Sequence, residues 1–153
     1  MTQPALLFVC LGNICRSPLA EAAMRAAAER AGWEVEIDSC GTAGYHIASP
    51  PDPRSIATAA DHGIDINGLR GRQLCAGDFK RFTHIFAMDH SNLANIRAVA
   101  PADGSAKISL LMDVVPGREG AAISDPYYDG EDRFDETWED VSTAAEALVD
   151  RLS

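Results

Sequence analysis

Cys10 and Arg16 enclose the five residues Leu11-Gly12-Asn13-Ile14-Cys15, and Ser17-Pro18 follows at once. These residue types suit a tetrahedral oxyanion. A short loop between a strand and a helix can curl so that successive backbone N–H groups converge, forming an anion nest at the helix N-terminus. Gly12 relaxes the backbone angles such a curl demands, and Arg16 brings a planar fork that matches two phosphate oxygens. The same positive field favours the thiolate of Cys10, making it a nucleophile at neutral pH. Ser17 stands where it can cap the helix and hydrogen-bond the sulfur, which helps the sulfur leave later. Cys75 and Arg81 repeat the spacing, but no strand precedes them and no Ser-Pro follows. Asp78 would also repel an anion from inside that loop, so Cys75 is read as structural.

The surrounding pattern supplies the elements that must hold this loop. Ala5–Cys10 is a short apolar run of the buried parallel-strand type. Ser17 as cap and Pro18 at the first helical position open a helix that Gly32 ends. Glu34–Ser39 reads as a second strand, Gly41–Asp52 as loop, and Asp52-Pro53 opens a helix to His62. A third strand covers His84–Met88, a helix His90–Val99 and a fourth strand Ile108–Met112. Asp113–Asp132 reads as polar loop. A last helix, Phe134–Leu152, has Trp138, Val141, Ala145, Leu148 and Leu152 on one stripe. Strands alternating with helices imply an α/β fold: a four-stranded parallel sheet with helices on both faces and the phosphate loop after strand one. Ligands of such sheets sit beyond the carboxyl ends of the strands, and Cys10 is the carboxyl end of the first.

With 153 residues the chain is read as one domain, 1–153, able to bury a core without disulfide or metal staples. Its 23 acids and 13 bases leave a net charge of −10, which excludes a general nucleic-acid binder. The charge is uneven: residues 1–112 hold 11 acids and 10 bases, residues 113–153 hold 12 and 3. The phosphate loop thus lies in the near-neutral part. The acidic tail is read either as a solvated helix face or as a rim that favours basic targets and keeps a nearby acid protonated. No basic region precedes the seven-residue apolar run Ala5–Leu11, so neither a signal peptide nor a membrane span is expected. A cytoplasmic location follows, with export lacking a signal peptide left open, and the four cysteines are expected as thiols. No C-x-x-C pair and no zinc-finger spacing occurs, so neither metal nor cofactor is expected.

The run Val9–Glu21 resembles the signature of the low molecular weight protein tyrosine phosphatases. Asp38-Ser39 with Gly41-Thr42, Pro51-Asp52-Pro53-Arg54, His62-Gly63-Ile64, Met88-Asp89 and Asp125-Pro126-Tyr127-Tyr128 match the family in order. The resemblance implies a phosphotyrosine phosphatase in which Cys10 forms a cysteinyl-phosphate and Arg16 and the loop amides of Leu11–Arg16 bind phosphate. It makes Asp125 the general acid and then the general base, on an Asp-Pro held extended. Asn13 and Ser39, with Ser17 nearby, resemble the family's loop support. Many relatives add a His where this chain has Leu69, so the loop is expected to be held with less help. Leu11, Tyr45 and Tyr127 would wall a slot deep enough to favour phosphotyrosine, and Ile14 favours it over phosphoarginine. Tyr127 and Tyr128 resemble sites that are themselves phosphorylated. The implied partner is a phosphotyrosine protein, a tyrosine kinase among the candidates, met by a monomer or weak dimer.

Some positions keep two readings. Cys15 is either packing behind the loop or a resolving thiol that traps oxidised Cys10 as a disulfide. Asp89 is either a partner of the site or a helix N-terminal residue. Cys40 is read as packing and the four histidines as structural or surface groups. Two other functions compete: an arsenate reductase of the same fold, which needs two more redox cysteines, and a silent phosphate-binding module, which needs neither nucleophile nor acid.

Overall fold

The structure is a computed structural model describing residues 3–153. β1 (Ala5–Cys10) is buried along its whole length, as a strand covered on both faces must be. β2 (Glu36–Gly41), β3 (His84–Ala87) and β4 (Lys107–Leu110) complete a parallel sheet of order β2-β1-β3-β4. β2 lies two residues later than its alternating pattern places it, because the pairing continues to Cys10 opposite Gly41. β4 stops at Leu110 and the chain turns into a 3-10 segment, Leu111–Val114, which takes the last two residues of the expected strand.

α1 (Arg16–Ala31) starts earlier than its Ser-Pro signal implies: Cys15 takes the N-cap position without a side-chain hydrogen bond. Ser17 is therefore inside the first turn, where its hydroxyl is free for other work. Pro18 is tolerated there because the first N–H groups of a helix have no internal partner. α2 (Pro53–Asp61) begins as read, with the Asp52 side chain accepting from the Arg54 N–H at 2.9 Å. A one-turn helix not foreseen in the sequence, α3 (Asp78–Arg81), precedes β3, and α4 spans His90–Val99. α5 (Glu131–Leu152) starts three residues ahead of Phe134.

Alternation along β1 divides the interior. Leu6, Phe8 and Cys10 face α1 and α5, where Trp138, Val141, Ala145 and Leu148 lie buried. Leu7 and Val9 face the opposite side, with Cys40, Phe79, Phe82, Ile85 and Ile96. His62 at the end of α2 stacks on Trp138, centroids 4.6 Å apart. β1 is central, with β2 on one flank and β3 on the other, so the switch in chain direction across the sheet falls at the carboxyl end of β1. No helix among the described residues is long and apolar enough to cross a membrane.

A second piece of backbone braces that end. Gly41 donates to the Arg72 carbonyl at 2.9 Å, and the Leu74 N–H returns to the Gly41 carbonyl at 2.8 Å. Arg72 is pinned by Asp38 at 3.1 Å and by both oxygens of Asp78 at 3.0 and 3.1 Å. Burial pushes the Asp78 carboxyl up. Hydrogen bonds from Arg72 and the Cys75 N–H outweigh that and hold it below the usual carboxylate range. Its stabilising contribution is therefore complete above its unfolded value, near pH 4, and is lost as pH falls through the lower folded one. Asp78→Asn should flatten the acid limb of a stability–pH curve followed by thermal unfolding; an acid limb identical to that of the parent chain would rule out the contribution.

Gly41 is required by space rather than by its backbone angles. A Cβ there would lie 2.6 Å from the Leu11 carbonyl oxygen and 3.1 Å from the Asn13 nitrogen, both backbone atoms of the phosphate loop. Gly41→Ala must displace that loop and should cost about 1–3 kcal/mol, as overpacking does, with activity falling alongside the melting temperature. Unchanged melting and activity would mean that the loop yields freely.

Candidate active site

Four carbonyls between Cys10 and Cys15 hold the loop of residues 11–15 in place. The carbonyls of Cys10, Leu11 and Ile14 accept from the N–H groups of Thr42 (2.9 Å), Ala43 (3.0 Å) and Asp52 (2.8 Å). The Ser55 hydroxyl donates to the Cys15 carbonyl at 3.3 Å. Each N–H points opposite to the carbonyl of the residue before it, so these bound carbonyls turn the N–H groups of Leu11, Gly12, Cys15 and Arg16 to the interior, and among the described residues none of the four has an acceptor. Four such donors at the start of α1 form the kind of cradle that suits an anion. The one left-handed residue of the curl is Asn13, φ 58°, not Gly12. Asn tolerates that conformation better than other residues with a Cβ. Gly12 instead makes room, since a Cβ there would lie 2.9 Å from His46 Cδ2.

Cys10 Sγ lies 3.1 Å from Ser17 Oγ. The Asn13 amide already donates to Ser17 Oγ at 2.8 Å. Once Cys10 is a thiolate only Ser17 can donate between the two, turning its hydroxyl from the other acceptor in reach, the Cys40 carbonyl at 3.4 Å.

Arg16 is 2% exposed, and a buried cation must be paired. Its Nη1 donates to Asp89 Oδ2 at 2.6 Å and to the Ile123 carbonyl at 2.9 Å. Its Nη2 is 3.6 Å from Asp125 Oδ2, and its Nε has no partner. One edge of the fork is therefore fixed to protein and the other remains to meet an anion. Asp89 fulfils both of its readings at once: Oδ2 holds Arg16 while Oδ1 caps α4 through the Asn92 N–H at 2.7 Å. Asp125 reaches the site because Ile123, two residues earlier, is fastened to the end of β3 by its N–H to the Met88 carbonyl, 2.8 Å. The Asp125 side chain is partly exposed and accepts from the Tyr127 N–H at 3.1 Å.

Cys10, Leu11, Gly12, Ile14, Cys15, Arg16, Asp125, Tyr45 and Tyr127 all line one cleft of about 220 Å³. His46, read from the sequence as a structural or surface group, and Tyr128, singled out only for its resemblance to a phosphorylated site, line it too. Tyr128 meets Tyr127 edge to face at 4.9 Å. Cys15 and Cys40 are buried, and burial above all pushes both thiols up, for Cys15 with help from Asp52. Cys75 is exposed rather than packed, with its N–H donating to Asp78.

Asn13, Ser17 and Ser39 meet behind the cradle, on the side away from the cleft. The Asn13 amide donates to Ser39 Oγ at 3.0 Å, and its carbonyl accepts from the Arg72 N–H at 3.1 Å. Ser39 in turn donates to Glu21 Oε1 at 2.7 Å, and Arg25 Nε donates to Glu21 Oε2 at 2.9 Å. Leu69 packs against the core instead of joining the network. The help comes from Glu21 and the Arg72 main chain, neither of which the sequence reading identified. Glu21 lies inside the matched run, one helical turn after Ser17, and that spacing was the available signal. Glu21→Ala should cost about 1–3 kcal/mol by leaving Ser39 and Arg25 without their acceptor; a thermal unfolding midpoint equal to that of the parent chain would exclude it from the support.

A model of the low molecular weight phosphotyrosine protein phosphatase family matches residues 5–153. The low molecular weight phosphotyrosine protein phosphatase of Schizosaccharomyces pombe is 47% identical over 132 residues, 84% of either chain. The low molecular weight protein-tyrosine-phosphatase YfkJ of Bacillus subtilis is 38% identical over 95% of this chain and 93% of its own. The crystal structure of a protein tyrosine phosphatase from Entamoeba histolytica, with Hepes in the active site, superposes with a TM-score of 0.91 at 34% identity. That match covers 98% of this chain and 97% of that one. From the cradle after β1 to the last helix, the chain belongs to the low molecular weight phosphotyrosine protein phosphatase family.

Proposed function

We propose that the chain hydrolyses phosphotyrosine in proteins through a cysteinyl-phosphate on Cys10. The observation that carries this reading is the convergence of Cys10, the free N–H groups of the loop, the Nε edge of Arg16 and Asp125 on one cleft. Phosphate in the cradle puts phosphorus above Cys10 Sγ, and the N–H groups and Arg16 meet the charge on its equatorial oxygens as the transition state forms. The thiolate forms a bond to phosphorus while the ester P–O bond breaks, and Asp125 gives its proton to the departing phenolate. Asp125, now a carboxylate, takes a proton from water. The resulting hydroxyl attacks phosphorus, the P–S bond breaks and inorganic phosphate leaves. Ser17 stabilises the thiolate at the start and the end of the cycle.

Leu11, Tyr45 and Tyr127 on the rim give an aromatic ring apolar surface to lie against. A phosphoserine side chain is too short to use that surface while its phosphate sits in the cradle. Cys15 fits the packing reading better than the resolving one. Its buried thiol is held protonated, and disulfide formation needs the thiolate. An arsenate reductase relay finds little support, because Cys40 is buried and its thiol is likewise pushed up, leaving Cys75 alone in solvent. A silent binding module leaves Asp125 at the mouth of the cleft without a task.

The test compares 4-nitrophenyl phosphate, a phosphotyrosine peptide, a phosphoserine peptide, phosphoarginine and arsenate as substrates. Turnover should be confined to the first two, abolished by Cys10→Ser, and lowered about 10²–10⁴-fold by Asp125→Ala on the peptide. Turnover that survives Cys10→Ser would sink the mechanism, and faster phosphoarginine turnover would move the substrate class.

A further inference from the structure

The segment that carries Asp125 belongs to no helix or strand, so something outside it must set its distance from the cradle. Besides Arg16, which holds the Ile123 carbonyl and stands 3.6 Å from Asp125, a second residue joins the two. Arg54, in the first turn of α2, points its guanidinium across the gap. Its Nη1 donates to the Asp129 carbonyl at 2.9 Å and its Nη2 to the Tyr127 carbonyl at 2.8 Å. On its other side Nε and Nη2 each meet an Asp52 oxygen at 3.0 Å. Asp52 is itself fixed to the cradle by its N–H, which donates to the Ile14 carbonyl at 2.8 Å. The guanidinium also lies over the ring of Phe134 at 4.6 Å and that of Tyr127 at 5.7 Å. Burial pushes the Asp52 carboxyl up, but hydrogen bonds from Arg54 outweigh it and keep the group ionised.

We propose that Arg54 is a positioning residue for proton transfer, fixing Asp125 over the cradle through the main chain of Tyr127 and Asp129, with Asp52 as its anchor. The proposal rests on Asp125 being the proton donor. The planar fork is what the task demands: it reaches two carbonyls and a carboxylate at once, whereas a lysine ammonium is a point charge. The same contact places the Tyr127 ring, so Arg54 also sets one wall of the cleft. Displacing a catalytic group by about 1 Å is enough to cost on the order of 10²-fold in rate. The effect is greatest where the leaving group most needs its proton.

The experiment measures kcat/KM for phenyl phosphate and 4-nitrophenyl phosphate in the parent chain, Arg54→Met, Arg54→Lys and Asp125→Ala, and in the double variants with Asp125→Ala. The phenolate needs protonation and the nitrophenolate needs it far less. Arg54→Met should therefore lose about tenfold more on phenyl phosphate than on the nitrophenyl ester. That extra loss should vanish in the Asp125→Ala background. Equal losses on both esters, no loss, or an extra loss that persists without Asp125 would each overturn the proposal. If Arg54→Met does not fold, Arg54→Lys, which keeps the charge beside Asp52, provides the same comparison. Should parent-chain turnover survive Cys10→Ser, the phosphatase mechanism itself has failed; if Cys10 and Asp125 behave as expected while the Arg54 losses are uniform, only the positioning role has.

Discussion

The direction of the peptide units between Cys10 and Arg16 governs everything else in this protein. Carbonyls bound outward to Thr42, Ala43, Asp52 and Ser55 oblige the N–H groups of Leu11, Gly12, Cys15 and Arg16 to face inward. That curl requires a left-handed residue, which falls on Asn13. A non-glycine residue in that region costs of the order of 1–3 kcal/mol, and the surrounding structure must over-determine it. It does so through Ser17, Ser39 and the Arg72 N–H, all bonded to the Asn13 side chain. An asparagine is thus both the strained residue and the one whose amide offsets the strain. A glycine would adopt the angle without strain but bring no side chain to lock it.

The same constraint reconciles a net charge of −10 with the proposed anion site. Charge is felt at short range and is screened beyond about a Debye length, roughly 8–10 Å in ordinary salt. What an oxyanion meets in the cleft is a set of aligned backbone dipoles and one edge of a buried guanidinium. Asp89 keeps Arg16 paired without covering that edge, because it binds Nη1 only. The acids of α5 are on the chain that follows Asp125. Arg54 stands between that chain and the cradle, bonded to both sides.

Much of this was legible in the sequence because it is written locally. The strand, the five-residue curl and the helix are contiguous, and so are the Asp52-Pro53 and Asp89 helix starts. The readings that shifted did so where a distant partner decided. β2 slid by two residues because Cys10 pairs with Gly41. Ser17 left the cap because Cys10 and Asn13 use its hydroxyl. Gly12 lost its conformational task to Asn13 and kept a spatial one against His46. Glu21 and Arg54 have unremarkable local signals, a helical acid and a first-turn base, and their partners lie across the fold.

By itself, then, the sequence determined which groups could do the proposed chemistry: a thiol, a loop of backbone amides and a forked cation brought together by the covalent chain within seven residues. Their spacing is set by bond lengths and the rise of one loop, so no long-range fold is needed to predict it. Only the tertiary structure decided how that loop is held and how Asp125, more than a hundred residues away, reaches it. Those outcomes depend on carbonyl and guanidinium contacts between segments remote in sequence, through Asp89, Ile123, Arg72 and Arg54, and residue types carry no record of which remote partner they will meet.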